Sequence, residues 1–264
     1  MRDTIINKLK HIEQANSIQL LFACESGSRA WGFPSPDSDY DVRFIYIRTA
    51  ADYLSIENSK DDLSFPINDE LDVYGWDLRK VLQLIKKSNT TPFEWLQSPV
   101  IYLEQPGFRE TLWNLCPQYF GRRSNMHHYL GIASSALATM ENEDEIKIKK
   151  LFYVLRPLLA AKWNLESNSI APMTIAPLME LLPAELKAQV QELINWKTEA
   201  VEGQLIKIPA VLHSWIKNEF ARIETLSGNF EKNYFEAAPL NAFFIQTLQL
   251  YDHSRNEGKG LAAV

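Results

Sequence analysis

The stretch "ACESGSRAWGFPSPDSDYDVRFIYIR", residues 23–48, decides how this chain is read. Its left side closes an apolar run, SIQLLFAC (17–24), and its right side, DVRFIYI (41–47), is rich in β-branched and aromatic residues. Both have strand character. Between them residues 27–36 hold two glycines and two prolines, the punctuation of a loop with room for one helical turn. Asp39 and Asp41 stand at the mouth of the second strand. Side chains at i and i+2 share a strand face, so the two carboxylates are expected to point the same way.

Two carboxylates make a thin site, and a third is sought. ELDVYGW (70–76) reads as a third strand. If it pairs beside 41–47, Asp72 lies on the next ladder, about 4.8 Å away. Glu70 has the same parity and is the alternative. Asp77 heads an amphipathic helix, DLRKVLQLIKKS (77–88), and is assigned to capping it. That helix is expected to stop at Asn89-Thr90-Thr91-Pro92. Carboxylate oxygens suit Mg²⁺ or Mn²⁺. Two such ions about 4 Å apart stabilise the attacking and leaving oxygens of phosphoryl transfer. Upstream, Gly27 permits close approach of a ligand to the backbone, and Ser28 offers a hydroxyl and an amide to phosphate oxygens. Arg43 shares the parity of Asp39 and Asp41. It is either a charge partner for those carboxylates or for triphosphate oxygens, or an edge-strand charge.

Gly27-Ser28, a ten-residue gap, Asp39-Tyr40-Asp41-Val42, and a separate Leu71-Asp72-Val73 resemble the signature of the DNA polymerase beta nucleotidyltransferase superfamily. The flanks ESGSRAWGF, SDYDVRFIYIR, LDVYGWDLRK, TPFEWLQSP and KKLFYVLRPLLAAKW are similar to its RNA-repair-pathway branch, over roughly residues 23–163. The resemblance implies a minimal palm-like α/β core, a nucleoside triphosphate donor such as ATP, and two-metal transfer of a nucleotidyl group with loss of pyrophosphate. It implies Asp39 and Asp41 as metal ligands and Asp72 as the third catalytic and metal-binding carboxylate. It leaves the acceptor open, and the bulky Arg29-Ala30-Trp31 after Gly-Ser departs from the commonest pattern.

The rest of the chain supports an α+β reading. Residues 3–15 have helical periodicity, with Ile5, Ile6, Leu9 and Ile12 on one side. From about residue 108 helical periodicity dominates. The expected organisation is a small polymerase-beta-like core, a mixed sheet with flanking helices, over 1–107, an all-helical region over 108–252, and a mobile tail over 253–264. Lys149, Tyr153 and Arg156 fall on one helix face and could meet phosphates of the donor or of a nucleic-acid acceptor. Lys147, Lys149, Lys150, Arg156 and Lys162 crowd the same stretch, enough positive charge for a short RNA end. Pro157 is expected to kink that helix or begin another. His127 and His128 are adjacent and point apart on a helix, unlike an i, i+4 zinc pair.

Composition bounds the function classes. With 264 residues, 46% of them hydrophobic, the chain can build a sizeable core. A formal charge of −6 argues against a broad basic coat that grips duplex nucleic acid. Two cysteines, Cys24 and Cys116, show no metal-type spacing and fit a reducing compartment. The charged opening MRDTIINKLKHIEQ is not read as a signal peptide, and no apolar run reaches the roughly 20 residues of a membrane span. The expectation is a cytoplasmic, metal-dependent nucleotidyltransferase with an RNA or protein hydroxyl as acceptor. The alternative is a non-catalytic nucleotide-binding or antidote-like interaction module on the same fold.

Overall fold

A computed structural model describes residues 1–57, 59–66, 70–139, 145–199 and 203–260, with side chains to residue 252. The chain opens with helix α1 (Arg2–Ala15), which buries Ile5, Leu9 and Ile12 and leads into strand β1 (Gln19–Glu25). The punctuated segment then forms one short helix, α2 (Gly27–Trp31), before β2 (Tyr40–Ile47). A second short helix, α3 (Ala50–Leu54), and an edge strand, β3 (Asp62–Ser64), precede β4 (Leu71–Asp77). Helix α4 (Leu78–Lys86) follows at once, capped as expected by Asp77, whose carboxylate accepts the Arg79 N–H at 2.8 Å.

The five-stranded sheet has the order β3-β4-β2-β1-β5, with β5 at Ile101–Glu104. Only β2 and β4 run parallel, and their register sets Asp41 directly beside Asp72. The other pairs are antiparallel, so the sheet is mixed as expected. Asn89-Thr90-Thr91-Pro92 ends α4 but also begins another helix, α5 (Thr90–Leu96). Asn89 accepts the Thr91 N–H at 2.9 Å, and Pro92 lies in the first turn, where its missing N–H costs nothing.

Each sheet face has its own core. One carries Leu20, Ala23, Val42, Phe44, Tyr46 and Val73 against α1. The other buries Leu21, Cys24, Ile45 and Ile47 under α4, α5, helix α6 (Phe108–Leu115) and a helix from the far end of the chain. A third core lies in the helical half, built from α7 (Arg122–Ala138), α8 (Ile148–Ser167), α9 (Ile175–Leu178), α10 (Ala184–Glu199) and α11 (Ala210–Ser227). Among the described residues the helical region is interrupted by one two-residue ladder, β6 (Ile146–Lys147) with β7 (Leu205–Ile206).

Several local expectations change. Pro157 neither splits α8 nor starts a helix. It is fully inside, buried among Leu155, Leu158 and Leu159, where packing outweighs the single lost backbone bond. The final helix, α12 (Ala238–Gly260), is the one that returns to the sheet, burying Leu240, Phe243 and Tyr251 against the second core. It takes in residues 253–260 of the expected tail. Residues 261–264 lie outside the described residues. The apolar cluster under the sheet therefore draws on both sides of residue 107. Among the described residues no helix is long and apolar enough to cross a membrane.

The two halves meet through Phe33. It follows α2, yet it is fully buried in the helical core, stacked on Phe152 with ring centroids 4.8 Å apart. Phe33→Ala should therefore lower stability by about 3–5 kcal/mol, the usual cost of emptying a buried aromatic site. Urea unfolding of the purified variant measures it.

Candidate active site

Parallel pairing of β2 with β4 brings Asp41 and Asp72 to one end of the sheet. Arg43, two residues along β2, lies between them. Its Nη2 donates to Asp41 Oδ1 at 3.0 Å and to Asp72 Oδ2 at 2.7 Å. Its Nη1 donates to the carbonyls of Val42 and Asp72, each at 3.1 Å. Of the two roles open to Arg43 in the sequence, the structure displays the charge partner of the carboxylates.

The other oxygen of Asp41 lies over the start of α2. Gly27 has φ +59°, and a Cβ built on it would stand 1.9 Å from Asp41 Oδ2. Glycine is required here twice, for its left-handed backbone and for the space the carboxylate fills. Ser26, just before it, donates its N–H to the Asp41 carbonyl at 2.8 Å. The Gly-Ser turn and the Asp-Tyr-Asp strand are thus in direct contact.

Ser28 is buried, its hydroxyl 3.1 Å from that of Ser38. Ser38 Oγ also accepts the Ser35 N–H at 2.9 Å, and Ser35 Oγ accepts from the buried Lys197 Nζ at 2.8 Å. Arg29 closes the same loop from outside. Its Nη2 donates to the Ser38 carbonyl at 2.7 Å, its Nε to the Asp39 carbonyl at 3.1 Å, and its guanidinium lies 4.0 Å from the centre of the Tyr40 ring. Its contacts hold the segment bearing Asp39. Asp39 itself is exposed and precedes β2, which begins at Tyr40. Its charge is felt at Asp41. Glu70 precedes β4 and gives its carbonyl to the Tyr40 N–H at 2.8 Å.

Burial raises the Asp41 pKa above the ordinary carboxylate value; Arg43 opposes the shift, and Asp72 and Asp39 add to it. Lys149, at the start of α8, also opposes it and so brings positive charge from the helical half to this carboxylate. Arg156, expected on the same phosphate-facing side, is buried instead. It pairs with Glu94 of α5 at 2.8 Å, donates to the Met173 carbonyl, and lies 4.7 Å from the centre of the Trp31 ring. Lys162 is likewise tied to Glu166 and Glu219, at 2.7 and 3.0 Å. The basic stretch of α8 is therefore not one continuous patch. His127 Nε2 meets Ser227 Oγ at 3.3 Å, and burial lowers the pKa of His128.

Sequence reasoning missed Glu25. It ends β1, is 1% exposed, and accepts the Asp41 N–H at 2.7 Å and the Tyr102 hydroxyl. A carboxylate closing an otherwise apolar strand was the available signal. Burial raises its pKa as well.

The donor set suits a hard divalent cation, with carboxylates on two adjacent strands and Asp39 two residues away. Among the described residues, however, no group of three or more His, Cys, Asp or Glu side chains is gathered as a metal cluster as it stands.

A family model, RlaP, the RNA repair pathway DNA polymerase beta family, matches residues 1–246. The chain belongs to this family. It is 44% identical over 225 residues to the "Uncharacterized protein YcgL" of Bacillus subtilis (strain 168), covering 84% of this chain and 86% of that protein. It is also similar to a crystal structure of a nucleotidyltransferase-like protein from Exiguobacterium sibiricum 255-15. That similarity has 12% identity and a TM-score of 0.30, over 85% of this chain and 75% of the other. At that TM-score the likeness carries no argument.

Two outcomes follow from this packing. Gly27→Ala should destabilise the protein, by more than the roughly 1–2 kcal/mol that a left-handed backbone costs an L-residue. In an Asp41→Ala background the cost should fall toward the backbone share, and a double-mutant cycle by urea unfolding reads the difference. The second outcome concerns Glu25. A carboxyl with a raised folded pKa holds its proton more tightly folded than unfolded. Its contribution is complete below the unfolded pKa and is lost as pH rises through the folded one. With chelator present, the stability of wild type relative to Glu25→Gln should decline from about pH 4 upward. A flat difference across that range would separate Glu25 from any such linkage.

Proposed function

We propose that this protein is a metal-dependent nucleotidyltransferase that moves a nucleoside monophosphate from a nucleoside triphosphate to an acceptor hydroxyl and releases pyrophosphate. The observation that carries the reading is the contact of Asp41 with both halves of the site. One of its oxygens lies over Gly27 at the start of the Gly-Ser turn, and the other shares Arg43 with Asp72. Membership of the RNA repair pathway DNA polymerase beta family supports the same chemistry.

Mg²⁺ or Mn²⁺ would be held by Asp39, Asp41 and Asp72, and when bound it neutralises phosphate charge and lowers the pKa of a hydroxyl. The protein's own residues do the rest. The Gly27-Ser28 turn receives the donor phosphates on its backbone, with Ser28 held by Ser38 and the loop fixed by Arg29. Arg43 holds the two carboxylates side by side. Glu25 fixes the backbone of Asp41 from beneath. Asp72, bonded to Arg43, would take the acceptor proton or hold a second ion. Lys149 adds positive charge from the helical half, next to Asp41. Catalysis on this reading is positioning and charge neutralisation.

The test is metal-dependent release of pyrophosphate from each labelled triphosphate, with Mg²⁺ or Mn²⁺ and with RNA ends or cell extract as the acceptor source. Asp39→Asn and Asp41→Asn should each lower the rate by about a hundredfold or more, the scale on which a preorganised charge-stabilising group matters, while far-ultraviolet circular dichroism stays native. Near-native turnover in either variant would remove that residue from the site.

A further inference from the structure

We propose that Lys197 is a positioning residue for the donor triphosphate. It acts from α10, through Ser35 and Ser38, on the turn at Gly27-Ser28. The inference rests on the nucleotidyltransferase reading and adds to it a residue of the helical half.

The starting observation is the burial of Lys197. It is 0% exposed, near the end of α10, with its Nζ 5.7 Å from the centre of the Phe33 ring. Taking a lysine amine out of water costs free energy, whereas methionine fills irregular space beside an aromatic ring without that cost. What the amine gains is an acceptor on the loop before β2. Its Nζ donates to Ser35 Oγ at 2.8 Å. Ser35 is tied to Ser38 twice, its N–H donating to Ser38 Oγ at 2.9 Å and its carbonyl accepting the Ser38 N–H at 3.1 Å. Ser38 Oγ also meets the Ser28 hydroxyl at 3.1 Å. The amine is thus three hydrogen bonds from the residue assigned to donor phosphate.

The setting makes the chain matter. All three serines are buried, so a link cut there leaves a polar group unpaired instead of handing it to water. Helix α2 is five residues long, too short to hold its own position, and depends on what packs around it. Arg29 holds the loop from its outer side, and Lys197 holds it from within.

The experiment measures equilibrium binding of ATP and of inorganic tripolyphosphate, both with Mg²⁺, by calorimetry. Lys197→Met should weaken both by about tenfold, the scale of one hydrogen bond to a charged group, while far-ultraviolet circular dichroism stays native. Equal losses are expected because tripolyphosphate has the phosphates and no nucleoside. Ser35→Ala cuts the chain at the lysine and keeps both bonds to Ser38, which use the Ser35 backbone. It should cost as much as Lys197→Met, and the double variant no more than either single one. A lysine that only packs against Phe33 would move the melting temperature and leave both affinities where they are. Unchanged affinity in folded Lys197→Met, a loss confined to ATP, or additive losses in the double variant would each overturn the inference while leaving the nucleotidyltransferase reading intact. If Lys197→Met does not fold, Ser35→Ala decides alone, and unchanged affinity there overturns the inference. Wild type that binds neither probe would overturn it together with that reading.

Discussion

Everything at this site follows from the crowding of one carboxylate. Asp41 has the Gly27 backbone against one oxygen, the Arg43 guanidinium against the other, and its own amide bonded to a buried Glu25. These contacts fix where three separate segments must lie. β1 must end beside β2 so that Glu25 reaches the Asp41 N–H, and antiparallel pairing of Glu25 with Val42 does this. The chain must then turn sharply at a residue with no side chain. Finally, β4 must return parallel to β2, and in register, for Asp72 to share Arg43. A slip of one residue in that last pairing would send Asp72 to the opposite face of the sheet.

The loop between the two strands is long enough to be soft, and the helical half keeps it from being so. Phe33 is buried in the helical core, and Lys197 of α10 is hydrogen bonded to Ser35. Ser35, Ser38 and Ser28 continue that line of hydrogen bonds to the Gly-Ser turn. Trp31 meets Tyr153 of α8 edge-on at 5.4 Å and lies beneath the buried Arg156. The turn that faces the carboxylates is thus set as much by the second half of the chain as by the first.

How much of this was legible depends on whether the signal was local. The strand at 41–47, the Asp77 cap and the parity of Asp72 were readable because strand alternation and capping act over a few residues. The Gly-Ser turn was readable because only glycine fits there. Asp39 lies one residue before the start of β2 at Tyr40, and its charge is felt at Asp41. Glu25 was missed because its partners are Asp41 and Tyr102, the latter 77 residues away. Arg156 and Lys162 were misjudged for the same reason. Helical spacing gives the face on which a cation lies but not that Glu94 or Glu219 will meet it from another helix. The division near residue 107 came from a change of texture, and texture could not reveal that α12 returns to pack under the sheet.

That misjudgement bears on how an acceptor would be recognised. Five basic residues crowd residues 147–162 in sequence, but buried or bridged cations offer little to a polyanion. Arg156 is 2% exposed, and Lys162 is shared between two carboxylates. A net charge of −6 supplies no compensating field over the surface. Of this stretch it is Lys149, at the N-terminal end of α8, that acts electrostatically on Asp41. Arg43 and Lys149 bring positive charge to the carboxylates, whereas Arg156 and Lys162 are taken up inside the fold by Glu94 and by Glu166 and Glu219.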